Sequence, residues 1–352
     1  MTRTSKALVA ALVVVAALVG GVGHVAAADA VGPTTAEAAL AQENCSFPVT
    51  LTDASGTDVT LDESPEDVVV LGASSAQTVW ELGEQDRVVG MPVGPSTAYL
   101  DGSQDRTHVL DGIRVQTETV VDLDPDVVIA PGGIIAPEDV QALRDAGLTV
   151  YVTNDGNSIQ DVRDRVTSTG RLLGACDAAD DTVSWMDERL AVVNETTQGV
   201  DRPSVFYWLG GGYTAGSGTF QGELLQLAGA DNAAANMGIS GWAAAEPEAI
   251  VAEDPDYILV SEGTTLPEDH PVQQTTAVQE GNVITVNGNY WNQPAPRIVL
   301  AVEEVTQQLH NESYQEATSD SEGSSGDALP GFGVGAAAIA LLGTVLALQR
   351  RE

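Results

Sequence analysis

The stretch TETVVDLDPDVVIAPGG at residues 117–133 returns 130 residues later as PEAIVAEDPDYILVSEG at residues 247–263. Six of the 17 paired positions are identical, among them Glu118 and Glu248, the Asp-Pro-Asp and the closing glycine. Each copy reads as a helix end, a proline that stops the helix, and an apolar run that enters a sheet. A chain that repeats this phrase is constrained to two similar α/β units. Around the first copy, DVVVLGA, RVVGMPV and LTVYV read as short buried strands, with SAQTVWELG and PEDVQALRDAG as helices between them. That alternation predicts a largely parallel sheet. The second set opens at RPSVFYWLGGG and runs through NVITV to the helix PAPRIVLAVEEVTQQL.

Two helical patterns lie between the units. Residues 158–173 carry Ile159, Val162, Val166 and Leu173 on one stripe, and residues 177–197 carry Val183, Met186, Leu190 and Val193. The expected organisation is an α/β lobe over 45–176, a connecting helix over 177–198 and a second α/β lobe over 199–312. The Asp-Pro-Asp serves this architecture in each half. A glutamate seven residues ahead of the proline does not, so Glu118 and Glu248 need a separate reason.

The ends read as export and tethering. Residues 1–28 have a cationic start (Arg3, Lys6), an apolar run and small residues near Ala28, the pattern of a secretory signal peptide. Residues 313–328, rich in Ser, Glu, Asp and Gly, predict a flexible acidic stalk. The 329–352 segment holds an uncharged run long enough to span a bilayer core, followed by Arg350 and Arg351. The net charge of −37, with 13 of 14 basic residues Arg, argues against nucleic acid as a partner and fits a solvent of very high salt. Cys45 and Cys176 are the two cysteines; outside the cell such a pair suggests one disulfide, two buried thiols being the alternative. Asn44, Asn194 and Asn311 each begin a glycosylation sequon.

Chemistry-bearing patterns are few. No Ser-His-Asp elbow, Cys-His couple or metal-like spacing of His108, His270 and His310 is visible, so neither an enzyme nor a bare-metal site is expected. The glycine cluster LGGGYTAGSGTF lacks the Lys and Ser/Thr of a phosphate loop. Aromatics are scarce, yet Tyr99, Tyr213, Trp242 and Tyr290-Trp291 fall in loops at predicted strand ends, where they suit ligand contact. Trp80 and Trp185 sit in helical patterns and read as core.

The pieces SAQTVWELGEQDRVVGMP, ETVVDLDPDVVIA, AGLTVYV, WAAAEPEAIVAEDPDYILV and APRIVLAVEEV, in this order, resemble the landmarks of the extracytoplasmic binding proteins that feed ABC importers of cobalamin and iron-siderophores. The resemblance spans roughly residues 68–309 and implies two Rossmann-like lobes joined by one long rigid helix, with the ligand in the cleft between them. It also implies a reason for the repeated glutamates: one per lobe, Glu118 and Glu248, docking into arginines of a dimeric permease driven by ATPase subunits. Ligand contacts carry over to Tyr99, Tyr213, Trp242 and Asn289, Tyr290, Trp291, Asn292 and Gln293, with Asn289 departing from an Asp that cobalamin-binding relatives can carry. The implied ligand is cobalamin or a related corrinoid, carried as cargo rather than as a cofactor. A ferric siderophore is the alternative, for which Arg106 and Arg114 are the candidate counter-charges. A passive surface protein is the remaining alternative. The Pro-Gly-Phe, apolar span and Arg-Arg tail resemble the sorting signal of haloarchaeal surface proteins, which implies anchoring at the outer face of the membrane.

Overall fold

The computed structural model describes residues 45–322; the predicted signal peptide, the end of the stalk and the 329–352 segment lie outside the described residues. The first lobe begins with an antiparallel hairpin, β1 (Val49–Thr52) and β2 (Asp58–Leu61). There follow β3 (Val68–Val70), α1 (Ala73–Glu81), β4 (Val88–Met91), β5 (Thr107–His108) and the ribbon β6 (Leu110–Asp111) and β7 (Arg114–Val115). The helix α2 (Thr117–Asp122), β8 (Val127–Pro131), α3 (Pro137–Asp145) and β9 (Val150–Thr153) complete it. The sheet order is β5-β4-β3-β8-β9, all parallel. Val68, Val69 and Val70 are fully buried, as are Val127 and Val128. Continuous apolar runs of this kind belong to parallel strands covered on both faces.

Two helices lead out of this lobe, α4 (Ile159–Leu173) and α5 (Cys176–Thr196). The second lobe then comprises β10 (Ser204–Trp208), β11 (Tyr213–Ala215), α6 (Phe220–Leu227), β12 (Asp231–Asn232), α7 (Ala233–Asn236) and β13 (Trp242–Ala244). It continues with α8 (Pro247–Glu253), β14 (Tyr257–Ser261), α9 (Thr276–Glu280), β15 (Val283–Val286), α10 (Gly288–Trp291), α11 (Ile298–Leu309) and α12 (Asn311–Glu322). Its parallel sheet has the order β12-β10-β14-β15, with β11 and β13 paired as a separate antiparallel ribbon.

The repeated phrase has the same conformation twice. After α2 and α8 the chain turns through Asp124 (φ 46°) and Asp254 (φ 47°), the non-glycine residues of positive φ among the described residues. A left-handed residue followed by proline ends each helix, since proline cannot continue it. The second aspartate of each phrase then anchors the neighbouring strand. Asp126 accepts backbone N–H groups from Glu66 (2.7 Å) and Asp67 (3.0 Å), and Asp256 accepts one from Ser204 (2.7 Å).

The helix α4 touches both lobes: Ile159, Val162 and Val166 at its start pack in the core of the second lobe, while Leu172 and Leu173 at its end pack in the first. It runs beside the 21-residue helix α5, which leads into the second lobe. The stalk begins later than its composition suggests. Residues 311–322 form α12, because Ala317 finds a buried place and the Tyr314 hydroxyl donates to Glu303 at 2.6 Å, which in turn pairs with Arg189 of α5 at 3.3 Å.

Cys45 and Cys176 form a disulfide, with Cα atoms 5.9 Å apart and a sequence separation of 131, tying the start of the described chain to the start of α5. A cross-link over so long a loop restricts the unfolded ensemble strongly, and removing one costs about 2–5 kcal/mol. The double variant Cys45→Ser/Cys176→Ser is expected to lose that much in denaturant unfolding. A midpoint unchanged from wild type would contradict this.

Candidate functional site

The carboxyl ends of parallel strands are where α/β sheets bind ligands. In the first lobe, β4 ends at Met91 and is followed by the 92–100 loop that carries Tyr99, while β3 leads into α1 with Gln77 and Glu81. In the second lobe, β10 leads into the glycine turn before Tyr213, β14 ends at Ser261, and β15 leads into α10 and the Asn292-Gln293 segment. The 92–100 loop and α1 of the first lobe meet residues 289–297 of the second along an inter-lobe seam.

A chain of hydrogen bonds crosses the seam. The backbone N–H of Arg297 donates to Gln77 Oε1 (2.8 Å), and Gln77 Nε2 donates to the Tyr99 hydroxyl (2.6 Å). That hydroxyl donates to Gln293 Oε1 (2.9 Å), and Gln293 Nε2 donates to the carbonyl of Ser96 (2.8 Å). Burial, partly offset by the Gln77 hydrogen bond, pushes the Tyr99 pKa up to about 12, which keeps its hydroxyl a donor in neutral and alkaline solution. Tyr290 meets Tyr99 edge to face at 5.6 Å. The Arg297 guanidinium lies 5.6 Å from the Tyr99 ring centre and 5.8 Å from that of Tyr290, and its Nε pairs with Glu81 at 2.6 Å.

A second bridge is almost fully buried. Arg165 of α4 donates to the carbonyl of Pro294 (2.8 Å), to Ser74 Oγ (3.2 Å) and to the carbonyl of Asn154 (2.7 Å). Loss of hydration pulls its pKa down to about 10. Gly156 stands against it with φ of 72°, and a Cβ there would lie 2.7 Å from the Pro294 side chain, so this close passage requires glycine.

Of the sequence-expected ligand residues, Tyr99, Asn289, Tyr290 and Gln293 come together at the seam; Asn289 Nδ2 reaches the carbonyl of Pro95 at 3.4 Å. Asn292 belongs to the second lobe alone, accepting from the Tyr207 hydroxyl (2.7 Å) and donating to the carbonyl of Gly288 (3.1 Å). Tyr213 and Trp242 form a separate pair on the β11–β13 ribbon, their rings 6.4 Å apart and within 12° of parallel. They are 45% and 44% exposed, the most exposed aromatics of the described residues. The turn before Tyr213 is made by Gly210, Gly211 and Gly212, all left-handed, with φ of 112°, 57° and 76°.

Trp291 is a correction. It has no exposed surface and packs in the core of the second lobe, edge to face with Tyr207 at 6.0 Å. In the one-turn helix α10, neighbours Tyr290 and Trp291 point to different sides, so one reaches the seam and the other the interior. Trp80 and Trp185 pack against the cores of their lobes. Arg106 donates to the carbonyl of Gln85, and Arg114 stands exposed on β7. The arginines of the seam are Arg165 and Arg297, which sequence reasoning missed together with Gln77 and Glu81. The run Ser74, Ser75, Gln77 and Thr78, polar yet buried in a helix beside the sheet, is the kind of signal that could have found them. No group of three or more His, Cys, Asp or Glu side chains suited to a metal occurs among the described residues. Glu118 and Glu248 are both exposed, each the second residue of its helix.

The chain belongs to the periplasmic binding protein family, whose model matches residues 68–290. It is 40% identical over 343 residues to a cobalamin-binding protein of Halobacterium salinarum, covering 90% of this chain and 92% of that one. It is 30% identical over 281 residues to an uncharacterized ABC transporter substrate-binding lipoprotein, YvrC, of Bacillus subtilis, covering 77% and 88%. Among solved structures, the apo form of the periplasmic heme-binding protein RhuT of Roseiflexus sp. RS-1 superimposes with a TM-score of 0.65 at 22% identity, over 70% of this chain and 99% of that one. The two-lobed α/β fold is thus that of the binding proteins of ABC importers, which carry a transported ligand rather than a cofactor.

Proposed function

We propose that this protein captures cobalamin or a related corrinoid outside the cell and delivers it to the permease of an ABC importer. The 40% identity to a cobalamin-binding protein across nearly the whole length of both chains carries this reading. The site chemistry agrees with it. The partly exposed Asn289 amide at the seam can both donate and accept toward an amide-decorated ligand, and the exposed Tyr213–Trp242 pair offers flat apolar surface. Glu118 and Glu248 are the permease handles, one on each lobe, at equivalent places in the repeated phrase. The expected signal peptide and C-terminal segment support a position at the outer face of the membrane, and the acidic composition suits molar salt.

Equilibrium dialysis of the detergent-solubilised full-length chain against cyanocobalamin in molar salt tests the reading. Saturation at one corrinoid per chain is expected. No retained corrinoid in folded protein would refute it.

A further inference from the structure

We propose that Glu81 sets the charge preference of the ligand cleft by neutralising Arg297, so that the site takes uncharged, amide-bearing ligands and disfavours carboxylates. The inference rests on the seam being the ligand site, as proposed above. Arg297 and Arg165 are the cations there. Arg165 is 1% exposed and committed to carbonyl and hydroxyl oxygens of the protein itself. Arg297 remains partly open to solvent, with 27% of its side chain exposed. Left alone, a guanidinium beside two tyrosines would be a ready receptor for a ligand carboxylate.

It is not left alone, because Glu81 holds it at 2.6 Å from across the seam. The place of Glu81 needs a cause outside its own helix. It is the last residue of α1, where a carboxylate meets the negative end of the helix dipole and is disfavoured. Pairing with Arg297 supplies that cause. The two side chains are each about three-quarters buried or more, so molar salt screens their pairing less than it screens surface charges. A ligand carboxylate arriving at Arg297 would face Glu81 and have to displace it. A ligand amide would not.

The test compares two ligands that differ by one group: cyanocobalamin, and cyanocobalamin monocarboxylates in which one side-chain amide is hydrolysed. Each is titrated into full-length wild type, Glu81→Gln and Arg297→Gln in molar salt, with thermal unfolding to establish that each variant is folded. Wild type is expected to prefer the amide. Glu81→Gln should lower that preference by about tenfold for at least one monocarboxylate, and Arg297→Gln, which leaves Glu81 as an unpaired anion, should raise it. Amide-to-acid ratios that stay at the wild-type value in the folded variants would overturn the role of Glu81 while leaving the corrinoid reading intact. Wild type that binds neither ligand would overturn both.

Discussion

Trp291→Ala is expected to lower the unfolding free energy by about 3–5 kcal/mol, the cost of emptying a large buried aromatic site. The side chain is fully buried among Tyr207 and the apolar residues of the second core, and its removal leaves a cavity that α10 and α11 can only partly close. Trp242→Ala should behave in the opposite way. At 44% exposure it contributes little to folding, so the unfolding midpoint should move slightly. Corrinoid affinity, by contrast, should fall by about thirtyfold, the effect of removing an aromatic anchor worth about 2 kcal/mol. Denaturant unfolding and ligand titration of the two variants separate the roles. A Trp291→Ala protein of wild-type stability, or a Trp242→Ala protein of wild-type affinity, would reverse the assignment made from burial.

Glu118→Ala and Glu248→Ala should each weaken association with the permease and its ATPase by about thirtyfold or more, since truncating one partner of a docked charge pair costs about 2–5 kcal/mol. Both carboxylates are exposed in the free protein, so their removal should not lower its stability. At 1 M salt the screening length is about 3 Å, which leaves exposed pairs weak and requires these to lose water on docking. Binding to the purified permease–ATPase complex and ligand-stimulated ATP hydrolysis provide the readout. The double variant should lose both. Retained stimulation in the double variant would show that the repeated glutamates are ordinary solvated acids.

The architecture was largely legible because it rests on local signals. The Asp-Pro-Asp phrases mark helix ends, and the short apolar runs after them suit buried parallel strands. What escaped was set by contacts between distant parts of the chain. Glu81 and Arg297 lie 216 residues apart, and the pairing that makes them a unit leaves no local trace. Tyr290 and Trp291 are neighbours of similar composition, and only the helical turn that carries them decides which one faces the seam. The Ser- and Glu-rich start of the expected stalk looked unable to bury anything. Tyr314, bonded to Glu303 of α11, and the buried Ala317 hold its first turns on the second lobe.

The most direct test of the account is competitive. The full-length chain, in molar salt, is offered cyanocobalamin, ferrichrome and hemin together, and the bound ligand is identified by native mass spectrometry. Cyanocobalamin alone is expected, one per chain. Recovery of the ferric siderophore or of heme in its place would contradict the corrinoid assignment while leaving the transport fold intact.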